Sequence, residues 1–265
     1  MPTAYTYGSL AFSNGDGTSG YYCQSINISP ENNITTQKLP RNDINKINDD
    51  GLGPVEIQIS VKVMHRTTLS SFRTLMKDLH TYLHSGAQSL YLSDTAKHYR
   101  NVYCKSVNSV HTSESQRIAV VNFTLVTADP FYYYDTTSGS PETKTPDANP
   151  YTWTTTTGGV AYVEPVFLIT GPFTGNIKFE NLTRSEWVQL AASLAGVGNT
   201  LEIDSANRTI KQDTVESYTN ITNDNTSGGF LRLTAGANSM KLTLGGAPST
   251  GTVRTTWTDR DFGGY

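Results

Sequence analysis

Hydrophobic and polar positions in the first half of the chain follow two periods. Val55, Ile57, Ile59, Val61 and Val63 alternate with Glu56, Gln58, Ser60 and Lys62, a two-residue period that buries one face of a strand and wets the other. Leu69, Phe72, Leu75, Met76, Leu79 and Leu83 then recur at three- and four-residue spacings, which predicts a helix with one apolar stripe. Thr67 or Thr68 suits its start and Gly86 its exit. Such a stripe must lie on something apolar, and the neighbouring sheet is its natural partner. Residues 118–126 are apolar at nearly every position and too short for a helix, so they read as a strand buried on both faces at the centre of a sheet. Asp129-Pro130 stops that strand, because proline has no N–H for the ladder. Four aromatics follow, Phe131, Tyr132, Tyr133 and Tyr134.

Shorter strands are predicted at Tyr5–Tyr7 and at residues 21–28, 89–92 and 97–107. Residues 34–53 carry neither period and include RNDINKINDDGLG. Structureless stretches of this length are uncommon in compact domains; these residues are either a long surface loop or, as the family resemblance given below implies, an arm that reaches a neighbouring subunit. Leu39, Ile44, Ile47 and Leu52 are the apolar residues such an arm would bring to the contact. Residues 136–150 hold no large apolar side chain and are rich in proline, which predicts a linker between a first domain at 1–135 and a second at 151–265. In the second half, short apolar or alternating runs at residues 166–169, 177–179, 187–190, 201–203, 209–211, 230–233, 240–244 and 253–257 are separated by Gly, Asn and Asp turns. That spacing, with no helix of note, predicts a β-sandwich of jelly-roll type. The expected fold class is therefore mainly β: an N-terminal β-barrel or sheet domain with one packed helix, followed by a sandwich.

Composition changes this picture little. At 265 residues the chain is long enough to bury two cores without metal or disulfide staples. Residues 1–135 carry 11 basic and 11 acidic side chains and residues 136–265 carry 9 and 12. Neither half is basic, which disfavours tight nucleic-acid binding, since that needs clustered Lys and Arg. The sequence leaves the pairing of Cys23 and Cys104 open; two cysteines in a chain of this size are more often buried thiols than a disulfide framework. No apolar stretch approaches the length of a membrane span, and MPTAYTYGS lacks a signal-peptide pattern. The expectation is a soluble protein without a membrane anchor, made and folded in a cytoplasm.

Candidate chemistry is sparse. His80 and His84 are one helical turn apart, the spacing of a metal pair, but no third ligand is placed beside them and both flank the apolar stripe. His65, His98 and His111 stand alone. No nucleophile elbow, phosphate-binding loop, dinucleotide turn or Cys/His cluster occurs. No catalytic residue, metal site or cofactor is assigned, and an enzyme is not expected. Trp257 shares a strand face with Val253 and Thr255 and reads as core. Trp187 lies opposite Val188 and Leu190; if those point inward, its indole is exposed and could stack on a sugar or a protein partner.

FTLVTADPFYYYD at the end of the first half resembles the strand and "DP-aromatic" seam of the siphophage distal tail protein family (Dit), and VEIQISVKV followed by TLSSFRTLMKDLHTYLHS fits the family's order of elements. EPVFLITGPFTGNIKFENLTRSEWVQL, NTLEIDSANRTIK, GGFLRLTAGANSMKLTLGG and TVRTTWTDRDF are similar, in this order, to its galectin-like C-terminal domain. The resemblance covers most of residues 50–265. It implies a structural protein of the virion tail tip, a homohexameric ring with a central channel through which DNA passes without being specifically bound. The implied partners are the tail tube protein, the tape-measure protein, a tail-associated hub or tip protein, and receptor-binding proteins or fibres. Larger relatives carry inserted carbohydrate-binding modules for which this chain is too short, so host recognition would fall to other tail proteins. The alternative expectation is a lectin-like module whose sandwich binds host glycan directly, with Trp187 or loop tyrosines as the platform.

Overall fold

The computed structural model describes the chain apart from residues 1–4, 13–18, 39–44, 66, 93–96, 114–116, 138, 192–193, 225–229, 248–249 and 263–265. Over residues 19, 30–38, 45–52, 110–113, 220 and 222–224 it describes the backbone only. Two compact units are present, Met1–Asp135 with Phe262–Tyr265, and Thr136–Asp261.

The first unit is built from β1 (Tyr5–Tyr7), β2 (Leu10–Phe12), β3 (Ser19–Lys38), β4 (Asn45–His65), α1 (Leu69–Leu83), β5 (Gln88–Tyr91), β6 (Lys97–Ser113), β7 (Ile118–Thr127) and β8 (Phe131–Tyr134). The sheet runs β2-β1-β5-β6-β7-β4-β3, with β8 alongside β6. Its two ends approach each other, the Phe12 and Tyr21 rings meeting edge to face at 6.4 Å. As the alternation requires, Val55, Ile57, Ile59, Val61 and Val63 are buried. Phe72, Met76, Leu79 and Leu83 of α1 join them in one core with Tyr7, Phe12, Leu90, Val121 and Phe123. Thr68 caps α1, its hydroxyl accepting from the Ser71 amide at 3.1 Å, and Gly86 with φ +91° takes the exit, a left-handed backbone glycine adopts without strain.

Strand β7 is central, between β4 and β6, but only one of its faces is in the core. Ala119, Val121, Phe123 and Leu125 are buried while Asn122 is exposed and Val120 and Val126 are half-buried. The expectation of burial on both faces fails because α1 covers one side of the sheet and, among the described residues, nothing covers the other. The four aromatics after Asp129-Pro130 form β8, with Phe131 and Tyr133 buried. Asp129 fixes that corner by accepting from the Phe131 amide at 3.1 Å and the Tyr133 hydroxyl at 2.7 Å.

The second unit contains β9 (Glu142–Lys144), β10 (Tyr151–Thr157), β11 (Val166–Thr170), β12 (Ile177–Asn181), β13 (Glu186–Leu190), β14 (Thr200–Asp204), β15 (Thr209–Gln212), β16 (Val215–Glu216), β17 (Ile221–Asp224), β18 (Gly236–Leu244) and β19 (Thr252–Thr256), before β20 (Arg260–Phe262) carries the chain out. Two antiparallel sheets, β10-β18-β12-β13-β17 and β16-β15-β14-β11-β19-β9, face each other. Their inner side chains pool into one core that includes Trp153, Phe167, Phe179, Ile203, Leu242, Val253 and Trp257. This is a β-sandwich, with Phe167 and Phe179 in edge-to-face contact at 4.6 Å. Residues 230–233, expected as a strand, make a single bridge from Leu233 to Val163.

Residues 136–150 depart from the expected tether. Strand β9 pairs with β19. Ser140 donates its hydroxyl to the Trp257 carbonyl at 2.9 Å and accepts from the Trp257 amide at 3.0 Å. The Asn149 side chain donates to the Leu244 carbonyl at 2.8 Å and accepts from the Leu244 amide at 2.9 Å. The segment is polar because it collars the sandwich from outside rather than filling it.

Candidate assembly surfaces

Of the stretch from residue 34 to 53, residues 34–38 and 45–53 belong to the distal part of the β3–β4 hairpin, whose register runs from Ser19↔His65 to Lys38↔Asn45, with shifts after Cys23, Pro30 and Asn32. Strand β4 pairs with β7 only between Val55 and Met64. Beyond Val55 the hairpin is a two-stranded ribbon; residues 30–38 span roughly 25 Å at ~3.3 Å per residue. Of the four residues expected to carry a subunit contact, Ile47 and Leu52 lie on β4 in this ribbon, opposite Thr36 and Asn32. Leu39 and Ile44 lie outside the described residues.

At the root of the ribbon, β3, β4, β7 and β6 form a four-stranded antiparallel sheet whose coreless face is polar. Two rows cross it: Asn27, Gln58, Thr124 and Ser106, then Ser25, Ser60, Asn122 and Asn108. They line a shallow depression of about 260 Å³. None of these eight side chains is ionisable, and the neighbouring Glu56 and Lys105 form an ion pair. Closer to the ribbon, Pro54, Asn101, Tyr103, Val126, Ala128 and Asp129 line a second depression of about 490 Å³, where Tyr103 is 51% exposed.

In the second unit, Val188 and Leu190 are fully buried, so Trp187 points away from the sandwich core, as the alternation predicts. It is half-buried, and the Lys178 ammonium lies 4.7 Å from the centre of its ring, a cation–π arrangement that covers one face of the indole. The cross-strand neighbour Glu180 is held between Lys178 at 2.8 Å and Lys241 at 3.0 Å. Burial pushes the Glu180 carboxyl up, but hydrogen bonds and charge from the two lysines outweigh it and hold the carboxyl below its usual range.

His80 and His84 stack at 6.5 Å, with the Ser109 hydroxyl 3.3 Å from His80 Nε2. Among the described residues no group of three or more metal-ligating side chains occurs. His98 pairs with Asp135 at 2.7 Å, and His65 Nδ1 lies 3.0 Å from the Thr67 hydroxyl. The side chain of His111 lies outside the described residues. Cys23 and Cys104 are free and half-buried, and burial pushes both thiols up. Among the described residues, no helix is long and apolar enough to cross a membrane.

A curled, helix-backed sheet bearing a long hairpin, joined in one chain to a two-sheet sandwich, defines the class: a two-unit β protein. No protein-family model and no curated protein matches the sequence. The whole chain does superpose on a solved phage protein, SPP1 Dit, presented as a paradigm of the hub adsorption apparatus in phages infecting Gram-positive bacteria. The TM-score is 0.67 at 12% identity, covering 97% of this chain and 98% of that one. The two chains share a fold from end to end. A second likeness, to a chain of the phage p2 baseplate in its activated conformation, has a TM-score of 0.42 at 9% identity, over 95% of this chain and 97% of that one.

Proposed function

We propose that this protein is a distal tail protein, a non-enzymatic hub of a bacteriophage tail tip. In this reading six copies form a ring that joins the tail tube and tape-measure protein to tip and receptor-binding proteins, around a channel through which DNA leaves. The observation that carries it is the shared fold with SPP1 Dit across both units. Two further features support it. The β3–β4 ribbon is long enough to reach a neighbour, and extended hairpins are suited to heterologous contacts that close into rings. The sequence resemblance also runs in the same order as the elements. Negative-stain imaging and light scattering of the purified protein test the reading: six-fold rings are expected, and a chain that remains monomeric at high concentration and is missing from tail tips overturns it. A glycan-binding role through Trp187 would have to use the indole face that Lys178 does not cover.

A further inference from the structure

We propose that His80 and His84 of α1, with the hydroxyl of Ser109 from β6, hold a transition-metal dication of the zinc class that fastens the end of the helix to the sheet. The site lies within one chain and does not rest on the ring reading.

Three observations converge on it. The first is spacing. Residues four apart on a helix stand on one face, the arrangement in which a helical histidine pair chelates zinc. The ring centres lie 6.5 Å apart with their planes 16° from parallel. An ion ~2.1 Å from an imidazole nitrogen is about 3.2 Å from that ring's centre, so one ion between the rings reaches both. His84 is exposed, and exposed side chains change rotamer freely, which lets its ring turn toward a tetrahedral arrangement. The second observation is a third ligand that the sequence hides. Ser109 is 29 residues beyond His80, yet the fold sets its Oγ 3.3 Å from His80 Nε2. Two ligands each ~2.1 Å from a tetrahedral ion are roughly 3.4 Å apart, so this pair already has the separation of neighbours in one coordination shell. The third is the local field. His80 is in the last turn of α1 and His84 is its C-cap, where the unpaired carbonyls of a helix end favour positive charge. Lys77 and Arg73, the basic residues on the turns before, are exposed, so water weakens their repulsion.

The chemistry balances without further protein groups. Each imidazole gives the ion the lone pair of one nitrogen and keeps its proton on the other, and Ser109 stays a neutral hydroxyl. Water completes the shell, and with only two imidazoles among the ligands the affinity expected is weaker than that of a closed four-ligand site. Its position gives the ion a structural role. Strands β5 and β8 pair with β6 only as far as Val102. Among the described residues of the chain, Ser109 therefore stands on a stretch of β6 with β7 on one side and no strand on the other. A metal there ties that edge to α1.

Calorimetric titration of the full-length protein with zinc at neutral pH, paired with thermal unfolding, is the test. The unaltered protein is expected to take up one zinc ion per chain and to unfold at a higher temperature with zinc than without, because the complete ligand set exists only in the folded chain. His80→Gln and His84→Gln are each expected to weaken uptake at least about ten-fold, since loss of even an outer partner of a metal site costs that much, and to remove the thermal shift. Ser109→Ala is expected to weaken uptake by a smaller factor. No uptake by the unaltered protein overturns the proposal. Zinc held as well by either histidine variant as by the unaltered protein also overturns it, by assigning the ion to the thiols or to other histidines. Unchanged affinity in Ser109→Ala does the same, because it leaves the ion on the helix alone. His84 is exposed, so His84→Gln keeps the measurement interpretable should His80→Gln fail to fold.

Discussion

Single side chains in the sandwich carry more of its organisation than their types suggest. Asp259 is 3% exposed, yet its carboxylate accepts from the Gly158 amide at 2.7 Å and the Trp257 indole N–H at 3.1 Å. Burial, the largest influence, pushes its pKa above the usual aspartate value. Asp259→Ala leaves the buried Trp257 indole N–H without a partner and frees the exposed Gly158 amide to water; it is expected to cost about 1–3 kcal/mol in denaturant unfolding, whereas Asp259→Asn keeps an acceptor and costs less. Because the folded state holds the Asp259 proton more tightly than the unfolded chain, its contribution falls as pH rises from about 4 through the raised value and is constant above it. Glu180 behaves with the opposite sign. Its carboxyl is held low by Lys178 and Lys241, so its contribution is present above its ordinary value of about 4.3 and is lost as pH falls through the folded value. Glu180→Gln is expected to flatten that acid limb in unfolding measured from pH 6 to 3. Trp187 was legible as outward-facing from the alternation around it. The lysine over its ring was not, because the Lys178–Trp187 pair spans two strands whose register only the fold sets. Asp259 had no signal at all, since one acidic residue after a tryptophan follows no period.

At the scale of elements, the sequence read well wherever a core imposes a period. The alternation at Val55–Val63 and the stripe of α1 are both one-sided burial written into residue spacing, and both stand. Residues 230–233 show the limit. Leu231 and Leu233 are fully buried, so the alternation reported burial correctly, but one bridge is all the ladder that forms there. The ribbon failed to read for two reasons: it extends past β7 and so has no core to alternate against, and register shifts after Pro30 and Asn32 break whatever period remains. Its independence from the core yields a prediction. Replacing residues 32–52 by a two-residue Asn-Gly turn, a strong hairpin former, removes paired backbone but none of the side chains that form the first core. Thermal unfolding of this shortened protein is expected to be close to that of the full chain, while sizing shows monomers in place of rings. Rings from the shortened chain would take the ribbon out of the subunit contact.

Among the described residues the molecule holds two cores with no shared members, one of nineteen buried residues and one of twenty. Where the chain passes from one to the other is a matter of hydrogen bonds rather than of hydrophobic pattern, which is why composition misplaced it. Residues 136–150 resemble a tether in their prolines and small polar side chains, but polar chain is also what an outer strand and a collar need. β9 completes the edge of the six-stranded sheet beside β19, Ser140 satisfies both main-chain groups of Trp257, and Glu142 accepts from the Thr155 hydroxyl at 2.7 Å. The second unit therefore starts at Thr136. Two truncations separate this reading from a free linker. A chain of residues 136–261 keeps the collar and is expected to unfold cooperatively on its own. A chain of residues 151–261 exposes the β19 edge and leaves the Leu244 and Trp257 amides without their side-chain acceptors, each a loss of about 1–3 kcal/mol where the group stays buried. Against a domain stability of about 5–15 kcal/mol, the shorter chain should lose much of its cooperativity and bind a hydrophobic dye. Equal stability of the two, measured by urea unfolding, would return residues 136–150 to the status of a tether.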